Sequence, residues 1–371
     1  MDSMGCNQQL KIQSRNHELE ALHEIGAWNE IGTRHKIGAR MSRTPTAQIR
    51  CVVARAGTSR FVVVLGPECD RLGLSTKELS TSLQAAGLLG THYQAAKILE
   101  LGELHGRDTL PYVFHQVMSD GQVVSGLECG HGAAAARAAA LAWGTVNEAS
   151  GDMINIGTGQ RTTIAPADGD TQRLEFDASW PPVGFYSGPA PLWFQKENVR
   201  FPFWIMERGN AFCLARVDPS TVEEDTLKSL DHMVRQYYLD HGGDYHRARL
   251  PKLILFQSDV RTGNRTTAMA GCWSNGERHH SLPCSGSMVL TSFLASLQLL
   301  EEPPEERAGA YHFDLQHPSG WQPVRVDWET EDGERCITAC AVETAVRVLF
   351  SGQLEVASPE EPRRAASAVV R

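Results

Sequence analysis

Hydrophobic and polar residues follow two rhythms along this chain. Short runs rich in β-branched residues read as strands: Ile49–Arg55, Phe61–Leu65, Lys97–Leu101, Tyr112–Met118, Met153–Gln160, Arg161–Ala165, Ala211–Val217, Leu250–Gln257, Tyr311–Gln316 and Gln322–Trp328. Between them, helical spacing predicts helices over Ser75–Ala86, His131–Trp143, Glu223–Tyr238, Met288–Leu300 and Ile337–Phe350. The 131–143 and 288–300 stretches are apolar on almost every face, and Arg137 is the sole charge of the first, so both belong inside a core. Residues 166–205 are rich in Pro, Gly and aromatics and show neither period, which places an inter-domain connection there. Near the start, Glu24-Ile25-Gly26, Glu30-Ile31-Gly32 and Lys36-Ile37-Gly38 repeat every six residues, a period of neither helix nor strand. The expected organisation is therefore a disordered extension over 1–46, with Met41 a candidate native start, an N-terminal domain over 47–205, a C-terminal domain over 206–356 and a flexible tail over 357–371.

The order of elements repeats. Each half has a strand with a similar string, C-V-V-A-R at Cys51 and C-L-A-R at Cys213. Each then has a glycine turn carrying a cysteine, an apolar helix, and a strand–turn–strand. This predicts an α+β fold of two pseudo-symmetric halves, each a β-sheet wrapped around a central helix, with both helix starts facing one cleft.

Composition narrows the functional classes. The 371 residues are 42% hydrophobic and 21% charged, ordinary for a globular chain of two domains. A net charge of −9 argues against nucleic acid as a partner. The nine cysteines form no C-x-x-C pair and no even framework, which suits a reducing, cytoplasmic setting. Cys336 and Cys340 have helical spacing with no histidine or second pair beside them, so no metal is expected. No apolar run is long enough to cross a membrane. Walker, G-x-S-x-G and G-x-G-x-x-G motifs in the right context are missing, and Gly157-Thr158-Gly159 reads as a hairpin turn, so no nucleotide cofactor is expected.

The candidate chemistry gathers at the helix starts. Cys129 precedes Gly130, His131 and an alanine run. The first turn of a helix offers N–H groups and a positive dipole end, which bind anions and activate a nearby thiol. Cys284-Ser285-Gly286-Ser287 opens the second apolar helix in the same way, and Thr58 and Ser59 put two hydroxyls in a tight turn. On the residues alone, Cys129 and Cys284 are equally readable as core thiols, Lys97 as a strand-edge charge, and the hydroxyls as caps.

Five strings in order carry a resemblance. They are A-R-A-G-T-S-R at Ala54–Arg60, G-T-H-Y-Q-A-A-K at Gly90–Lys97, C-G-H at Cys129–His131, H-P-S-G at His317–Gly320 and E-T-A-V-R-V-L at Glu343–Leu349. They resemble signatures of the PrpF-type aconitate and methylitaconate isomerases, which have the diaminopimelate-epimerase fold. The resemblance implies proton transfer beside a carboxylate or other carbonyl, without cofactor or metal. It implies Lys97 and Cys129 as the proton-handling groups; the cleft between the helix starts then makes Thr58, Ser59, His92, Gly130, His131, Cys284, Ser285, Gly286 and Ser287 the expected substrate contacts. A lysine desolvated in a cleft sheds its charge more readily and serves as a base, while helix N–H groups stabilise an enolate. The chain also departs from the pattern. His92 and Tyr93 stand in a loop that is rich in hydroxyls in the family, Arg60 and Phe61 replace Lys-Gly, and His131 replaces asparagine. The expected substrate is therefore larger than aconitate, an intermediate of specialised metabolism. The expected partners are that small molecule and, as an option, a second copy of the chain, with neither nucleic acid nor membrane. A cyclase using the cleft, a racemase or epimerase pairing Cys129 with Cys284, and a non-catalytic binding protein stay open as alternatives.

Overall fold

The computed structural model describes residues 46–90, 96–103, 109–118, 120–147, 151–167, 169–177, 184–185, 190–208, 210–241, 251–274, 277–301 and 304–357. The expectations for the N-terminal extension before residue 46, the tail after 357 and the His92–Tyr93 loop lie outside the described residues.

Thr46–Ala56 and Ser59–Leu65 form a hairpin through the two-residue turn Gly57-Thr58. Gly57 has φ +55°, the left-handed value such a turn needs at its first position. The chain crosses over through helices α1 (Gly66–Arg71) and α2 (Thr76–Ala85) to lay Lys97–Leu101 parallel to Ser59–Leu65. A full capping box starts α2: Ser75 accepts from the Glu78 backbone, and the Glu78 carboxylate accepts from that of Ser75. Thr109–Val117 returns antiparallel, and a second crossover through α3 (Gly130–Ala142) lays Gly151–Asn155 parallel to it. Arg161–Pro166 and Thr171–Asp177 follow antiparallel. The last strand, Glu334–Ala357, pairs with Thr171–Asp177 along its middle and with Thr46–Ala56 along its end. Among the described residues, eight strands thus close into a barrel around α3. Ala133–Ala136 are wholly buried there, because alanine lets the sheet approach the helix closely.

The second half repeats the order of pairings. Val199–Arg208 and Asn210–Arg216 are antiparallel, then α4 (Glu224–Asp240) crosses over to the parallel Lys252–Thr262. Arg265–Ser274 returns antiparallel, and α5 (Cys284–Glu301) leads to the parallel Ala308–His317. Gly320–Glu331 and the start of Glu334–Ala357 complete the run. The two-half α+β architecture is that expected, but the strand correspondence differs. Cys51 lies on the first strand of its half and Cys213 on the second of its own, so the two similar strings are not equivalent. The counterpart of Asn210–Arg216 is Ser59–Leu65, since each has an antiparallel partner on one side and a parallel one on the other.

Another expectation is corrected. Residues 337–350 form part of a long strand, not a helix: Val342, Thr344 and Val346 are buried while Glu343, Ala345 and Arg347 are exposed, a period of two. Cys336 and Cys340 share that strand. The 166–205 stretch contributes the strands Thr171–Asp177, Gly184–Phe185, Leu192–Lys196 and Val199–Arg208. In the last of these, residues 203–206 are buried in succession, so both faces of that strand are covered and no alternation is left to read there. No helix among the described residues is long and apolar enough to cross a membrane.

Candidate active site

The starts of α3 and α5 meet between the halves. A Cβ on Gly130 would lie 2.6 Å from the Cys284 sulfur and 2.7 Å from the Phe176 ring, so only glycine allows this approach. A cavity of about 40 Å³ opens there. Of the residues singled out in the sequence, Thr58, Ser59, Lys97, Cys129, Gly130, His131, Cys284 and Ser285 line it. Gly286 and Ser287 do not line it, and His92 lies outside the described residues. The Ser287 hydroxyl donates to the Cys284 carbonyl at 2.8 Å, and Thr291 donates to that of Ser287 at 2.9 Å. α5 begins at Cys284, four residues before the apolar run expected to start it at Met288.

The Gly57-Thr58 turn organises one wall. Gly57 lies against the His131 ring, where a Cβ would come within 2.7 Å of Nε2. Thr58 shares a 2.7 Å hydrogen bond with Ser281, joining the halves. Ser59 accepts from Lys97 Nζ at 2.8 Å, and that nitrogen is 4.0 Å from Cys129 Sγ and 5.3 Å from the Phe61 ring centre. The strand Lys97–Leu101 holds its lysine at the cavity with only 7% exposure.

Glu128 is a site residue that the sequence reading missed. Its carboxylate accepts from the Cys129 backbone at 3.0 Å, from Asn155 Nδ2 at 3.2 Å and from Thr158 Oγ1 at 2.6 Å. The Gly157-Thr158-Gly159 turn is thus a hairpin, as read, that also supports the site. Asn210 of the second half donates to the Glu128 carbonyl at 3.0 Å. Lys252 was missed as well. It starts its strand as Lys97 does, lines the same cavity and is 9% exposed. The signal was present in both strands, K-I-L-E-L and K-L-I-L-F, once the halves are aligned by their second strands rather than their first.

That alignment also sets the register of the helix starts. A Cβ on Gly132 would meet Leu99 and Phe61, and one on Gly286 would meet Ile254 and Phe212. These neighbours occupy equivalent strand positions, so Gly132 matches Gly286 and Cys129 matches Pro283. Cys284 takes the place of Gly130, and burial pushes its thiol well above the usual range. It packs as a neutral thiol beside Cys129 rather than as its symmetry mate.

Burial, with the nearby Lys97 charge adding to it, pushes His131 down to about 3 from an ordinary 6.5. The ring is neutral at neutral pH. Between those two values the unfolded chain holds a proton that the folded chain lacks, so stability rises with pH through that window and is complete above 6.5. In His131→Asn, the slope of unfolding free energy against pH, measured with urea between about pH 4 and 6, is expected to fall by close to one proton. Equal slopes for the two proteins would remove this account of His131.

No protein-family model matches the chain, and no curated protein matches it by sequence. Solved structures do match. A methylitaconate-delta-isomerase superposes with a TM-score of 0.59 at 16% identity, over 84% of this chain and 96% of its own. A hydroxyproline epimerase from Agrobacterium vitis, with bound trans-4-hydroxy-L-proline, gives 0.53 at 12%, over 84% and 94%. A PhzF-family phenazine biosynthesis protein of Bacillus anthracis gives 0.52 at 10%, over 83% and 99%. The fold is that of the diaminopimelate-epimerase-like proteins. This chain is a divergent member of that fold, with its cavity where the two halves meet.

Proposed function

We propose that the chain is a cofactor-independent isomerase that moves a C=C bond by proton transfer beside a carbonyl. The observation that carries this reading is Lys97 Nζ, buried at the cavity between two converging helix starts, with Ser59 at 2.8 Å and Cys129 at 4.0 Å. Lys97 Nζ takes a proton from the carbon next to the conjugated system. The electron pair shifts to the carbonyl oxygen, giving a dienolate. N–H groups of the helix starts and the neutral His131 ring face that oxygen and stabilise its charge. Collapse of the dienolate takes a proton back at the other end of the allyl unit, from the Lys97 ammonium or the Cys129 thiol. Nothing is oxidised or reduced. The fold is shared with a methylitaconate isomerase and an epimerase, which supports an isomerase class. The Cys129–Cys284 epimerase is disfavoured, because Pro283 and not Cys284 matches Cys129.

The test is solvent deuterium. Crotonate, trans-2-hexenoate and trans-2-octenoate are incubated with the protein in D₂O and followed by NMR. Deuterium at the α and γ carbons is expected, with no uptake in Lys97→Met. Binding without uptake would sink the isomerase and favour a cyclase or a binding protein.

A further inference from the structure

The cavity between the helix starts is small. At about 40 Å³ it has room for a carboxylate-sized head or a few waters. A second cavity, of about 420 Å³, adjoins it in the second half. Pro219, Leu227, Leu255, Met269, Trp273 and Pro318 give it a mostly apolar wall. Its size falls in the range of about 300–1,000 Å³ usual for small-molecule sites. His279 lines both cavities, so one side chain stands at the junction.

The segment at the junction is anchored. Glu277–Arg278 pairs with the end of Arg265–Ser274, and the His279 backbone donates to the Cys272 carbonyl at 2.9 Å. Arg278 donates to the Pro219 carbonyl at 3.2 Å and to that of Val222 at 2.7 Å. Ser319 hydrogen-bonds the His280 carbonyl, and Ser281 shares its hydrogen bond with Thr58. The His317-Pro318-Ser319-Gly320 turn, which Lys97 and Cys129 leave without a role, thus supplies both chamber wall and anchor.

We propose that this chamber holds the apolar part of an amphipathic substrate whose carbonyl head sits between the helix starts, with His279 at the bend between the two. The assignment of the head rests on the isomerase reading; the chamber rests on its own lining and volume. Apolar surface leaving water in the chamber gives about a threefold to fourfold gain in affinity per methylene.

The experiment is calorimetric titration of the full chain with crotonate, trans-2-hexenoate and trans-2-octenoate. Affinity is expected to rise by about 50-fold or more across the series, which spans four methylenes. Two substitutions fill the chamber from different sides, Met269→Trp and Ser220→Trp. In both, the rise is expected to shrink to about threefold, with crotonate binding unchanged. A flat series in the unmodified protein, including no binding of any of the three acids, overturns the proposal. So does a steep series that survives in both filled variants. Deuterium uptake is read separately: a steep series without uptake keeps the chamber and removes the isomerase, and uptake with a flat series does the reverse.

Discussion

Lys97→Met is expected to lower turnover by about 100-fold or more, the scale of losing a general base. The amine is held by the first residue of a strand, bonded to Ser59 and set against the Phe61 ring. Methionine keeps the apolar stem, one atom shorter, but neither takes nor gives a proton. A fall in kcat with substrate affinity nearly kept is the expected pattern, because the lost interaction belongs to the transition state. Cys129→Ser is expected to cost less, since water or the returning ammonium can supply the second proton. Steady-state kinetics on whichever alkenoic acid exchanges deuterium reads both. Full turnover in a folded Lys97→Met would remove the base from the mechanism.

Glu128→Ala is expected to lower stability by about 3 kcal/mol, because three donors lose one acceptor group at once. The side chain is buried, and its partners come from the start of α3, from Gly151–Asn155 and from the following turn. Glu128→Gln keeps the shape and one acceptor oxygen, so about half that loss is expected. Urea unfolding measures both. An alanine variant within about 0.5 kcal/mol of the parent would show that water replaces the carboxylate and that the cluster is not a structural hub.

Most elements were legible because their periods were local. The alanine run of α3 and the β-branched strands Ser59–Leu65 and Lys97–Leu101 appeared close to their observed bounds. Residues 337–350 failed for a physical reason: E-T-A-V-R-V-L fits both a helical stripe and a strand alternation over so short a window. The choice was made by the strands on either side, Thr171–Asp177 and Thr46–Ala56, which are hundreds of residues away in places.

The site divides in the same way. From the sequence came the candidate groups, with Cys129, His131 and the two helix starts read from the residues themselves and Lys97 from the resemblance, together with the order of two similar halves. Helix starts and glycine turns are written in short strings, and short-range sterics suffice to read them. Only the tertiary structure decided which groups meet. It placed Lys252 beside Lys97's cavity, made Glu128 the acceptor for three elements and set Cys284 one residue out of register with Cys129. These facts depend on how one helix start packs against the other and against its own barrel. Such packing is fixed by contacts such as Gly132 on Phe61 and Gly286 on Phe212, between residues far apart in the chain, and no local period records them.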